Sequence, residues 1–234
     1  MALPPEIAGH LNLDGEPVTP RPSATVLLIR DGVPWELLLV HRPGGADFAP
    51  GAYVFPGGTV HEDDRVWGNE IGAAAIRELF EETGILLARR DRNLANEADC
   101  ASLRSATARG TSFGAAMSER GLEPSFDELV MFARWVTPAQ LRRRFDARFY
   151  LARLPALQTI HPQEGEVTDW LWISPRRALE SAELTLVYAT RAVLESVADE
   201  SDAAQLFARA RRLREIPIVE PRVVWTNSGW TIER

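Results

Sequence analysis

Cysteine is nearly absent from this chain of 234 residues: Cys100 stands alone. One thiol excludes an intrachain disulfide and suits a reducing compartment. No apolar run approaches the roughly 18 residues that a membrane-spanning helix needs. The opening residues, MALPPEIAGHLNLDGEP, lack both the basic region and the apolar stretch of a secretory signal. Together these absences predict a cytoplasmic protein. Positive charge is also short, because 26 basic against 33 acidic side chains leave a net charge of -7. That balance speaks against a nucleic-acid binder driven by phosphate neutralisation. An anionic substrate would need a metal ion or local arginines to draw it in.

What remains is the composition of a globular protein, 45% hydrophobic and 25% charged. Residues 1–22 are proline-rich and aperiodic, so they read as an extended arm. Two apolar runs, Ala24 to Ile29 and Trp35 to Val40, flank Asp31-Gly32 and predict a hairpin. A short strand, Ala52 to Phe55, precedes the Gly57-Gly58 turn. Asn69 is placed to cap a helix running to about Thr83, with Ile71, Ala75, Ile76, Leu79 and Phe80 at helical spacing. The alanine- and serine-rich stretch over about 88–128 reads as a helical insertion. Strands are expected in ELVMFARWVTP, RRFDARFYLARLP and EVTDWLWISP. Helices follow near Pro175 to Ser181, Leu186 to Ala198 and Ala203 to Arg214, and a hairpin forms around Asn227 to Gly229. A main domain over 23–182, with 183–234 packed on it, makes an α/β sandwich with mixed sheets.

The stretch GAAAIRELFEETGI carries Glu78, Glu81 and Glu82 within two helical turns. Like charges at this spacing repel, and they stand at the unfavourable end of the helix dipole. Their convergence suits a hard divalent cation, which prefers oxygen ligands. A solvated acidic face is the competing reading.

Around the triplet, Gly57-Gly58 precede an acidic loop, Arg77 precedes Glu78, and Gly84-Ile85 close the unit. These residues resemble the box of the Nudix hydrolases, G-x5-E-x7-R-E-U-x-E-E-x-G-U with U aliphatic; RELFEETGI fits its second half at every specified position. The first half departs. Asp64 stands where the family has glutamate, and the spacing to Arg77 is too long. Either RVWGN is inserted after Asp64, or Glu70 fills the first acidic position.

The resemblance implies a Nudix α/β/α sandwich that hydrolyses a nucleoside diphosphate linked to another group, using Mg²⁺ or Mn²⁺. By matched position, Glu78, Glu81 and Glu82 would be the metal ligands, Arg77 would orient them, and Gly57-Gly58 would approach the diphosphate. A general base outside the box is expected at Glu166 or, second, Glu164. FAPGAYVFPGGTVHEDD, FARWVTP and RRFDARFYLA are similar to the subfamily of peroxisomal-type coenzyme A diphosphatases. That likeness suggests CoA or acyl-CoA as substrate. It adds Arg42 as a phosphate contact, although the second arginine of the CoA motif falls on Asp47. In RRFDARFYLA, Arg143, Arg144 and Arg148 are further candidates, with a solvated strand edge as the alternative, and Arg144 is carried as substrate-binding. ADP-ribose or NADH hydrolysis competes, as does a ligand sensor with a C-terminal DNA-binding unit. The family's habits leave a homodimer open.

Overall fold

Side-chain alternation sets the central sheet. In β1 (Arg21–Arg30), Ala24, Val26 and Leu28 point to one face, and Leu27 and Ile29 to the other. Both sets are buried, so this strand must be covered by helices on each side. The computed structural model describes residues 10–12, 15–46, 49–162, 165, 167–227 and 229–233. β1 begins inside the expected arm, and Leu11 bridges to Leu141, so this part of the arm lies against the domain.

The expected hairpin partner is β2 (Glu36–His41), followed by β3 (Tyr53–Val54) on β2 and β4 (Gly57–Thr59) on β1. The helix capped by Asn69, whose side chain accepts from Gly72 N, is α1 (Glu70–Thr83), and Gly84 ends it. The stretch expected to be helical is more varied. It holds α2 (Glu97–Thr107) and α3 (Phe113–Ser118), but also β5 (Ala88–Arg90), β6 (Asn93–Leu94) and β7 (Glu123–Pro124). These strands form a small sheet of order β6–β5–β7. Pairing between Arg89 and Glu123 crosses both helices, a long-range contact that local pattern does not carry.

β8 (Val130–Val136), β9 (Phe145–Arg153) and β10 (Asp169–Ile173) follow. Then come α4 (Pro175–Glu180), α5 (Tyr188–Val197), α6 (Ala203–Arg211), β11 (Ile218–Val219), β12 (Arg222–Thr226) and β13 (Gly229–Glu233). The main sheet runs β10–β2–β1–β9–β8–β11. β1 with β9 and β8 with β11 are parallel and the other pairs antiparallel, so the sheet is mixed. α1, α2 and α3 cover one face through Leu79, Leu103 and Met117. α4, α5 and α6 cover the other through Ala178, Val193 and Phe207. The result is the expected α/β/α sandwich.

α5 and α6 share one core with Leu27, Ile29 and Trp135, so they are a layer of the sandwich rather than a separate DNA-binding unit. The basic run is also engaged: Arg209 pairs with Glu200, and Arg211 lies over the Phe207 ring. Trp135, Trp170 and Trp172 belong to or pack on the core. Cys100 is fully buried, and burial pushes its thiol up to about 12, which removes it as a nucleophile. Among the described residues no helix is long and apolar enough to cross a membrane.

Candidate functional site

The site grows from the contact between β4 and α1. Gly57 N–H donates to Glu82 Oε2 at 3.0 Å. A Cβ on Gly58 would fall 2.3–2.5 Å from the Glu78 carboxylate, so that glycine is the floor on which Glu78 rests. On Gly57 a Cβ would meet backbone, 2.3 Å from Ala24 O and 2.8 Å from Thr25 Cα. The two glycines therefore serve different ends. Gly57→Ala is expected to push β4 off β1 and cost about 1–3 kcal/mol, the scale of overpacking. Gly58→Ala is expected to cost less stability than Gly57→Ala, because the atoms in its way are the flexible end of Glu78 rather than backbone, and to lose activity by displacing that carboxylate from Arg77. Melting curves and turnover on both variants check the split.

Arg77 organises the rest. Its side chain is 4% exposed, and it spreads three nitrogens over four acceptor groups. Nε and Nη2 donate to Asp64 Oδ1 and Oδ2, each at 3.0 Å. Nη2 also reaches Thr59 O at 2.9 Å. Nη1 donates to Glu78 Oε1 at 2.9 Å and Glu81 Oε2 at 2.8 Å. Burial works against the guanidinium charge, yet the Asp64 hydrogen bonds and the charges of Glu78, Glu81 and Asp64 hold its pKa above the ordinary value. The like-charge crowding seen in the sequence is thus relieved by one buried cation.

Of the two candidates for the first acidic position, the structure puts Asp64 beside Arg77, whereas Glu70 is half-exposed and pairs with Arg65. Asp64 also accepts from His61 N at 2.8 Å. The extra residues complete a 3-10 helix, Glu62–Trp67, which Gly68 turns towards the Asn69 cap. The insertion lengthens the path, and the Asp64 carboxylate still meets Arg77. A cleft of about 160 Å³ opens beside this knot, lined by Asp63, Asp64, Trp67, Arg77, Glu81 and Phe113 among others. Trp67 and Phe113 escaped the sequence reading, since neither lies in a specified position of the motif.

The remaining candidates lie elsewhere. Arg42 follows β2, its N–H on Ala52 O at 3.0 Å, at the base of the loop that leads to β3. Arg144 is buried, and its guanidinium is spent on Thr137 O, Val18 O and Glu220. It ties the arm and the C-terminal region to β9 and is not presented to a ligand. Glu164 and Glu166 lie outside the described residues. On either side of them, His161 N–H donates to Thr83 O at 2.8 Å and Thr168 N–H to His41 O at 3.0 Å.

Glu78, Glu81 and Glu82 offer only carboxylate oxygens, the donor type that hard divalent cations take. Among the described residues no three His, Cys, Asp or Glu side chains are grouped so that they could hold a metal ion as they stand. The fit rests on donor chemistry and on the glycine floor that seats Glu78.

Comparison with known proteins matches the family description "NUDT19 Nudix domain" to residues 71–190. The "Putative nudix hydrolase 7" of Caenorhabditis elegans is 32% identical over 161 residues, covering 68% of this chain and 54% of that protein. The "Acyl-coenzyme A diphosphatase NUDT19" of Xenopus laevis is 26% identical over 206 residues, covering 62% of this chain and 54% of that protein. The chain spans about half the length of the curated relatives it matches. The crystal structure of a NUDIX hydrolase from Alicyclobacillus acidocaldarius superposes with a TM-score of 0.70 at 28% identity, covering 82% of this chain and 96% of that one.

Proposed function

Because the chain belongs to the Nudix hydrolase family, we propose that it cleaves the diphosphate bridge of CoA or an acyl-CoA, releasing 3′,5′-ADP and a 4′-phosphopantetheine derivative. Water attacks one phosphorus of the bridge, the bond from that phosphorus to the bridging oxygen breaks, and the water gives up a proton. Nudix hydrolases use divalent metal ions. Glu78, Glu81 and Glu82 would hold Mg²⁺ or Mn²⁺ here. When bound, such an ion neutralises diphosphate charge and acidifies the attacking water.

The observation that carries this reading is the buried Arg77, which holds Asp64, Glu78 and Glu81 in one hydrogen-bonded group against the Gly57-Gly58 turn. Arg77 fixes the carboxylates before a substrate arrives, and such preorganisation is what the protein contributes to an in-line displacement. The Gly57-Gly58 turn, packed against Glu78 and Glu82, would bring backbone close to the diphosphate. Glu166, or Glu164 in its place, is proposed to take the proton of the attacking water. The CoA assignment draws on the likeness to the Xenopus laevis diphosphatase.

A panel of CoA, acetyl-CoA, ADP-ribose and NADH, assayed with Mg²⁺ and with Mn²⁺, tests it. Release of 3′,5′-ADP from CoA at a kcat/KM above that for ADP-ribose and NADH is the expected result. Preference for ADP-ribose would keep the diphosphatase and discard the CoA assignment.

A further inference from the structure

The sheet register aligns four residues in one row on the face that α1 covers. Gly58 pairs with Ala24, Ala24 with Arg148, and Arg148 with Arg134. Directly paired residues point to the same side. Ala24, Tyr150 and Ala152 lie in the core beneath α1, while Ala147, Phe149 and Trp135 face the opposite layer. Arg148 and Arg134 therefore share the face of Gly58, on which Glu78 rests. Two inter-strand spacings separate Gly58 from Arg148 at the backbone, roughly 10 Å.

The two arginines are unequally satisfied. Arg134 grips Asp146 as a fork, Nε to Oδ1 and Nη2 to Oδ2, both at 2.7 Å. Arg148 is the less well satisfied: its Nη1 is buried without a hydrogen-bond partner and keeps only a long ion pair with Asp146 Oδ2 at 3.9 Å. Two guanidinium groups around one carboxylate leave a positive charge in excess. A buried charged donor with no acceptor is costly and calls for an explanation. The side chain as a whole is 25% exposed, so a ligand meets its outer part first and gains the Nη1 donor by a turn of the guanidinium. The chain has no lysine, and all 26 basic residues are arginine, so any side-chain fork offered to phosphate oxygens is a guanidinium.

We infer that Arg148 is a specificity-determining residue that receives a phosphate monoester on the nucleotide half of the substrate, at a distance from the diphosphate held near Gly58. The inference rests on the diphosphatase reading of the site. A nucleotide carrying a 3′-phosphate places a dianion away from the bridge, and the unused Arg148 donor supplies its partner. Arg134 assists by occupying Asp146, which would otherwise draw Arg148 away.

Calorimetric titration of the full chain with 3′,5′-ADP and with AMP, which differ by that phosphate, tests this without turnover. The wild type is expected to bind 3′,5′-ADP about tenfold tighter, the scale of a charge-assisted hydrogen bond. In Arg148→Gln the two nucleotides should bind within about twofold, with the melting temperature within a few degrees because only a long ion pair and no Nη1 hydrogen bond is lost. Arg148→Lys, which keeps charge but not the fork, should fall between them. Inorganic phosphate serves as the control for a bare anion. Equal wild-type affinities, or discrimination that survives in Arg148→Gln, would overturn the assignment. Inorganic phosphate as tight as 3′,5′-ADP would also overturn it, since the site would then not read a nucleotide. Discrimination without CoA hydrolysis would leave the subsite standing and discard the substrate reading.

Discussion

Arg77→Met is expected to unfold at a melting temperature roughly 10 °C below the wild type. The substitution keeps much of the side-chain volume and removes the cation that Asp64, Glu78 and Glu81 share. Asp64 is 3% exposed and Glu78 12%, so both carboxylates lose their partner where water is scarce. Breaking a buried pair from one side costs about 3–5 kcal/mol, and a chain of this size loses about 2–4 °C per kcal/mol. Activity should vanish with the fold or before it, since the carboxylates would repel one another out of position. Asp64→Asn retains the shape and one acceptor, so its loss should be smaller. Scanning calorimetry orders the two variants, and a wild-type melt for Arg77→Met would show that the ion pairs carry no stability.

Glu81→Gln separates catalysis from folding. Its side chain is 32% exposed and its described partner is Arg77, which keeps Asp64 and Glu78 in its absence. An ion pair with this much solvent contributes at most about 1 kcal/mol. The neutral amide is a poorer ligand for a hard cation than the carboxylate it replaces. Turnover should therefore fall about 10²- to 10³-fold, the effect of removing one charge-stabilising group from an active site, while the melt stays within a few degrees. A Mn²⁺ titration followed by electron paramagnetic resonance should show weaker binding in parallel. Wild-type rates would reduce the glutamate triplet to a charged surface.

These effects differ in how far they could be read before folding. The glutamate spacing, the Asn69 cap and the Gly84 stop are local, written within one helix, and so are the hairpin of β1 with β2 and the alternation of β9. What answers the acidic triplet is not local. Arg77 and Asp64 are separated by a 3-10 helix whose length the motif does not specify, so only packing shows that Asp64 rather than Glu70 reaches the guanidinium. The same holds for FARWVTP and RRFDARFYLA. Their arginines look alike in sequence, but the fold gives Arg144 to the arm and to Glu220, Arg134 to Asp146 as a fork, and leaves Arg148 Nη1 without a hydrogen bond. The small sheet inside the insertion was hidden for a related reason, because each of its strands is two or three residues long and β7 reaches β5 only across the two helices between them.

By itself the sequence determined which carboxylates share a helical turn, because a residue's place around a helix follows from its number. The tertiary structure alone decided that Asp64 joins them on Arg77 and which arginine keeps a nitrogen without a hydrogen bond. Both depend on strands and helices brought together from distant parts of the chain, where burial rather than spacing sets the strength of a charge.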